Sequence, residues 1–544
     1  MKQMKFSIIT ILSFLYFSTL TFTNAFSAQN EPSAPDPVTR QYHQWLEQKA
    51  TAIPDLKKAL EHKNWRMRTH ALIAMGKTGD KTLIPLIMNQ LKTDPNISVR
   101  NCAVIALTDL AAASTALPYF LVLLDNGDIT KDKAVSQKLL IESLGKLKDP
   151  RAVIPLYEHF FAKNRIISLK VVNALISIGD PSISHLILKE HEKIEKHELS
   201  RHAARILGEL PVSGAEKYLI QLFKGKNMVN KTAAAIALGQ IRSTEAASLF
   251  IKTIKACDKK LLKTVSNALV KIDSPDAVPP LCLLLTDKNP LVAMTSADIL
   301  SRMSVPTIPK TVFKIFKTND SSNAPTAYIL GRKKYTEALP LMKKRLIDIN
   351  QTGQDEMAQA SGWMEDRASI PLLIKIAQRN EKQGSSGAIW SLGRLKATEA
   401  VPVLIKLLDK RDKYLMSRII SAMGNISDKK FIQPLTHLYY ETGHQYSLII
   451  GNALGNIGGS EVIEFIKDNI DSDDAERRKV AGSVLARIND RRFIPYFITL
   501  IDHKDRMVKR YAVQALQKST GQKFRTAKKW NEWLQANPLN KTVQ

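Results

Sequence analysis

A short pattern recurs along the chain at an almost constant interval. The motif Ala-x-Leu-Gly, or a relative of it, places its last residue at Gly76, Thr108, Gly145, Ile176, Gly208, Gly239, Val270, Ser301, Gly331, Gly362, Gly393, Gly424, Gly455, Ala486 and Gln517. The intervals are 32, 37, 31, 32, 31, 31, 31 and 30 residues, then 31 six times. Fifteen copies in register exclude coincidence. They also exclude one ordinary globular core for the 544 residues, because units of this length bury their apolar faces only by stacking.

The columns around each anchor read as helix. The residue before it is Leu in twelve copies, as at Leu144 and Leu238; two before it, Ala appears nine times, as at Ala74 and Ala453. Two after it the chain is apolar in twelve copies, as at Leu147 and Ile457. Apolar residues at these offsets make one helical stripe, and the small Ala column lets a neighbouring helix approach. Nine or ten residues after the anchor, many copies carry a proline: Pro85, Pro118, Pro155, Pro280, Pro340, Pro371, Pro402, Pro434 and Pro495. Proline suits a first helical turn, where a missing N–H costs nothing. Each unit is therefore expected to hold two helices, one starting near the proline and one ending near the anchor. Gly179-Asp180-Pro181 and Lys148-Asp149-Pro150 mark the breaks between units. No stretch alternates as strands do. The register extends back to Trp45, with Pro54 at the proline position. The expectation is an all-α solenoid, a curved rod on the order of 130–150 Å along its path.

The ends differ from the array. Lys2 and Lys5 precede an apolar run from Phe6 to Phe22, and Thr23-Asn24-Ala25 or Ala25-Phe26-Ser27 offers small residues for cleavage. Residues 1–28 read as a secretory signal peptide. An uncleaved anchor is the competing reading, but the Ser and Thr content and the small-residue exit favour cleavage. Residues 29–40, with Pro32, Pro35 and Pro37, read as a short extended linker, 41–535 as the repeat array with its closing segment, and 536–544 as a tail. Cys102, Cys257 and Cys282 are odd in number and scattered through apolar segments, which points to buried free thiols rather than a disulfide framework. The formal charge is +28, or +26 without the two leader lysines (28 − 2). Such a surface suits acidic proteins, acidic polymers or anionic lipid, and an exported chain argues against nucleic acid.

This pattern resembles the HEAT-repeat family, and more closely the short bacterial HEAT-like units of the phycobilisome-lyase type. The resemblance rests on stretches such as 143–156, Ser-Leu-Gly-Lys-Leu-Lys-Asp-Pro-Arg-Ala-Val-Ile-Pro-Leu, and on Asn267-Ala268-Leu269 through Pro279-Pro280-Leu281. Val99-Arg100 matches the Val-Arg pair that often opens the second helix; Arg68, Lys231, Arg478 and Lys509 keep the basic residue, which is expected to bond to the adjacent unit. Thr520 to Phe524, followed by Trp530 and Trp533, is similar to a closing segment that would lie as a lid on the last apolar face. The resemblance implies an armadillo-like right-handed superhelix. It permits a lyase-like enzyme subunit, which the export signal contradicts.

No metalloprotease, phosphate-loop, CxxC or nucleophile-elbow motif occurs. Catalytic, metal and cofactor sites are therefore not expected. The richest metal-like stretch is His185 to His202, in which His191, Glu195 and Glu198 could share a helical face. Its alternating charges read instead as a solvated helix laced with ion pairs.

The surface columns are more informative. The positions three before and one after the anchor lie on one helix face. The first is mostly polar; the second is basic at Lys77, Lys146, Lys271, Arg302, Arg332, Arg394, Arg487 and Lys518. These cations either complement helix C-termini or form an anion-binding ladder. In three successive units the stripe turns aromatic: Tyr328 and Trp390 stand three before the anchor, Trp363 one after, flanked by Arg332 and Arg394. Trp, Tyr and Arg together have the composition of a binding hot spot, although the rings could instead fill gaps between units. Polar stretches at 318–325, 350–354 and 379–387 offer a recognition edge, or are simply drifted turns. The expected function is an exported, periplasmic or extracellular scaffold that grips a protein partner. The alternative is a binder of acidic polymers or anionic lipid head groups through the basic stripe.

Overall fold

The computed structural model describes residues 37–125, 135–379, 384–443 and 445–539. Over the described residues it consists of thirty-three α-helices joined by turns, several of them 3-10, and contains no strand. This is the α-solenoid that the period implies. The leader and residues 29–36 of the linker lie outside the described residues. Helix Pro37–Gln48 begins inside the stretch read as extended, so residues 37–40 are helical. No described helix is long and apolar enough to cross a membrane.

The chain forms two compact bodies, Met1–Tyr218 and Leu219–Gln544. In the first, the second helices of successive units, Trp65–Thr78, Ile97–Asp109, Gln137–Leu147, Arg165–Ile178 and Ser200–Glu209, pack in chain order. In the second, Met228–Gln240, Leu262–Ile272, Pro290–Arg302, Asn323–Arg332, Gln354–Trp363, Ser385–Arg394, Met416–Ile426, Ser447–Ile457, Ala475–Leu485 and Arg506–Thr520 do the same. Every anchor falls in the last turn of one of these fifteen helices or directly after it. Pro85, Pro340 and Pro402 sit in the first turn of the preceding helix, as expected. Pro118 does not: helix Ala113–Asp125 starts five residues earlier and carries the proline inside it.

The two small columns explain each other. A Cβ on Gly393 would lie 2.8 Å from the Cα of Ala422, and one on Gly145 would lie 2.7 Å from the Cα of Ala174. The anchor glycine of one unit thus receives the alanine that stands two before the anchor of the next. Backbone meets backbone, which a larger residue at either position would prevent.

Helix starts follow from composition. The side chains of Asn64, Asn96, Asn164, Asn227 and Asn289 accept the amide hydrogen two residues on, satisfying donors that the first turn leaves open. Helix ends share a left-handed residue three after the anchor: Gly79 and Gly179, but also Ala111, Lys148, Arg242, Asp273, Lys334, Glu365, Lys396 and Ser427. The left-handed bend is barely visible as a sequence column, because only some copies use the residue that the conformation favours.

At Arg68 and Arg478 the basic residue near the start of the second helix does bond to the next unit, whereas Lys231 lies over the Phe223 ring of its own unit. Arg68 holds Asp94 through two hydrogen bonds of 2.7 and 3.0 Å, and Arg478 holds Asp505 at 2.9 Å. Arg100 instead ties the loop before its own helix, donating to the carbonyls of Asp94 and Pro95. In two of the units that lack this residue, an arginine from the first helix makes the link to the preceding unit. Arg345 donates to Phe316 O and to Asn323 Oδ1 and pairs with Asp320 at 2.6 Å; Arg379 donates to Ile347 O. At the C-terminal end Trp530 is fully buried, its Nε1 donating to Phe524 O at 3.2 Å and its ring edge-on to Phe524. Trp533 is only half-buried, with Arg491 over its ring, so the lid is chiefly Trp530.

Candidate functional site

Asn323–Arg332, Gln354–Trp363 and Ser385–Arg394 are consecutive stacked helices of the second body. Their register brings the aromatic residues of the surface stripe together. Tyr328 meets Trp363 edge-on at 5.4 Å between ring centroids, and Trp363 meets Trp390 at 5.4 Å. The guanidinium of Arg394 lies 5.7 Å from the Trp390 ring centroid, and its Nε donates to Gly362 O at 3.0 Å. The Tyr328 hydroxyl reaches toward Asp298 at 3.5 Å, and Asp298 is paired with Arg302. Four of the five candidate residues therefore form one continuous cluster. Arg332 is exposed at its edge.

The rings have two roles. Each is half-buried, neither free in solvent nor lost in the core. Gly331 makes room for Trp363, whose Cε3 would lie 2.7 Å from a Cβ there, and Gly362 makes room for Trp390 in the same way at 2.9 Å. So the indoles do fill gaps between units, as one sequence reading allowed. Their remaining faces still form an apolar ledge with a cation at each side. Half-buried aromatic rings in edge-to-face contact, with a guanidinium alongside, can hold an apolar or planar group of a partner while a carboxylate meets the arginine.

The stripe also holds a residue that composition did not single out. Glu356 stands seven before Trp363 on the same helix and therefore on the same face. Burial pushes its carboxyl above the usual carboxylate range, and the neighbouring Asp355 adds to the shift. Asp355 itself accepts from the backbone amide of Gly387 at 2.7 Å, in a contact so close that a Cβ on Gly387 would collide with the Asp355 backbone.

The basic ladder is partly occupied. Lys77 pairs with Asp109 at 2.7 Å and Arg302 with Asp298 at 3.0 Å, while Arg394 and Lys518 donate to the carbonyls of Gly362 and Arg487 at preceding helix ends. Half of these cations thus serve neighbouring acids and helix C-termini. The polar stretches beside the aromatic units are structural as well. Asn323, Gln354 and Ser385 are buried, with Asn323 donating to Gln351 at 3.0 Å, Gln354 to Asp348 O and Ser385 to Ile376 O. These three form hydrogen-bonded seams at helix starts, while Thr318, Asp320, Ser321, Asn350 and Thr352 of the same stretches are exposed; residues 380–383 lie outside the described ones.

The histidine-rich stretch breaks up. Helix His191–Lys196 ends before Glu198, which is left-handed, so His191, Glu195 and Glu198 do not share one helical face. His191 Nδ1 faces Leu188 O at 3.0 Å. His202 is a core residue, edge-on to Phe160, and burial lowers its pKa to about 4, with Arg201 and Arg205 contributing. Among the described residues no three His, Cys, Asp or Glu side chains are placed to hold a metal ion. Cys102 and Cys282 lie in packed surroundings, and burial pushes both thiols up to about 11.

The family model for HEAT repeats matches residues 36–108, 53–140 and 381–446. The match does not distinguish the short phycobilisome-lyase type from other HEAT repeats. No curated protein matches the chain in sequence. A solved chain from a study of a phosphorylation switch in the cadherin and beta-catenin interaction is 13% identical, with a TM-score of 0.24 over 86% of this chain and 99% of that one. UNC-45 from Drosophila melanogaster is 11% identical at a TM-score of 0.25, covering 89% of both chains. A homology model of the full-length AP-3 complex gives 12% identity and a TM-score of 0.29, over 93% of this chain and 91% of that one.

Proposed function

The chain is a HEAT-repeat protein, and from that premise we propose that it is an exported, non-catalytic adaptor in the cell envelope. It grips a protein partner on the stripe that carries Tyr328, Trp363, Trp390, Arg332 and Arg394. The observation that supports this most is the continuous aromatic cluster across three units, with ring faces left open and Arg394 alongside. Repeats of this kind offer a row of equivalent surface positions on which an extended segment can lie. Export is supported by the leader at residues 1–28. Binding through a partner carboxylate and an apolar anchor fits the chemistry of the ledge.

The test is capture from the native envelope fraction by the wild type and by a Trp363→Ala, Trp390→Ala double variant, at low and high salt. Loss of each anchor is expected to weaken partner affinity about thirtyfold, the effect of a hot-spot residue worth about 2 kcal/mol. The wild-type complex should persist at high salt, because an aromatic-centred contact is weakly screened. Equal capture by a folded double variant would refute the proposed site.

A further inference from the structure

The positive charge of the central units does not reside on the helices that carry the aromatic cluster. Asn323–Arg332, Gln354–Trp363 and Ser385–Arg394 balance Arg332 and Arg394 against Asp355 and Glu356. The first helices of the same stretch, Ile308–Thr318, Leu339–Ile347, Ile370–Arg379 and Val401–Asp409, are strongly biased. They carry Lys310, Lys314, Lys317, Lys343, Lys344, Arg345, Lys375, Arg379 and Lys406 against a single acid, Asp409.

Within that set one column stands out. Thirteen residues after the anchor, four successive units place Lys314, Lys344, Lys375 and Lys406. All four are exposed. Their neighbours are committed, Lys343 to Asp366 and Arg345 to Asp320, each at 2.6 Å. Among the described residues these four are in no ion pair. Stacked units repeat at roughly 10 Å, so the ammonium groups form a row with about that spacing.

The row is bordered by exposed apolar side chains. Leu283 holds the same position in the preceding unit and is 76% exposed. Ile347, three residues after Lys344 and so on the same face, is 62% exposed, and Ile349 follows it into solvent. Flexible ammonium groups suit a fluid layer of phosphates, and exposed Leu and Ile beside them suit the boundary between head groups and acyl chains. A soluble polyanion has no use for the apolar border, and flexible, evenly spaced ammonium groups suit mobile head groups better than the fixed carboxylates of a folded protein.

We propose that the Lys314–Lys344–Lys375–Lys406 row, with Leu283 and Ile347, docks the protein onto an anionic lipid surface. This site is separate from the aromatic cluster, so either can fail without the other. The test is co-sedimentation of the full chain with vesicles of phosphatidylcholine, alone or with a minority of phosphatidylglycerol. The wild type is expected on the anionic vesicles, with much less on the neutral ones. Each Lys→Gln change in the row should lower vesicle affinity about fivefold, and all four together at least about a hundredfold. Replacing Lys57, Lys58, Lys63 and Lys81 by Gln removes the same charge from the first body and should change little. A Leu283→Ser, Ile347→Ser variant should lose vesicle binding while its weak attraction to poly-glutamate stays unchanged. Circular dichroism confirms that each variant is folded. Equal loss from the two lysine sets would reduce the effect to net charge and overturn the proposal. So would undiminished binding of the row variant, or tighter binding to poly-glutamate than to the anionic vesicles.

Discussion

Glu356 shows how a single side chain marks a surface as something other than packing. Its carboxyl is raised by burial, with Asp355 adding to the effect. In the folded state it therefore holds its proton at a pH where the unfolded chain has released it. Between the unfolded value of 4.5 and the higher folded value, the native state binds more protons, so this group's contribution to stability falls as pH rises. Glu356→Gln is accordingly expected to raise the melting temperature at pH 7 and to change it little near pH 4, as differential scanning fluorimetry across that range would record. His202 acts with the opposite slope. Its depressed pKa, about 4 against 6.5, favours the native state above 6.5 and loses that advantage as pH falls toward 4. The sequence announced neither group. Glu356 was one acid among many, and His202 looked like the edge of a metal-like run, because burial is a property of the stack and not of the local string.

At the scale of the helix pair, most of the architecture was legible. The glycine and alanine columns, the prolines and the apolar stripe come from a period that the chain repeats fifteen times, so every helix pair was expected. The aromatic cluster was legible for the same reason, since columns in register become neighbours in space. The polar seams at Asn323, Gln354 and Ser385 were not, because composition alone does not separate an exposed polar loop from a buried hydrogen-bonded one. The lysine row was present in the same alignment but lay on the first helices, away from the stripe that drew attention. The connection between helix pairs has its own energetics. Arg68 and Asp94 form a bidentate pair in which the side chains are 12% and 3% exposed. Asp94→Ala strands a poorly solvated guanidinium and also removes an acceptor for the Asn96 amide. It is expected to cost about 3 kcal/mol in chemical denaturation of a chain in which the partner is intact. A cost under about 0.5 kcal/mol would mean that solvent already screens the pair.

For the molecule as a whole, a stack of dependent units is only as secure as its last face. Trp530 closes that face in the body Leu219–Gln544, buried completely against the final helices. Trp530→Ala should remove about 3–5 kcal/mol of local packing. Hydrogen exchange should then quicken first in Ile494–Thr499 and Arg506–Thr520, with the aromatic units affected little. Uniform acceleration throughout the body would instead show that it melts as one block. The left-handed residue at the helix ends has a broader bearing. Ala111, Lys148, Arg242, Lys334, Lys396 and Ser427 all occupy a backbone twist that favours glycine. This fold consequently holds a built-in margin for hardening: glycine at Ala111, Lys148 or Arg242, in repeats other than those that carry the indole ledge and the ammonium row, relieves that twist one step at a time.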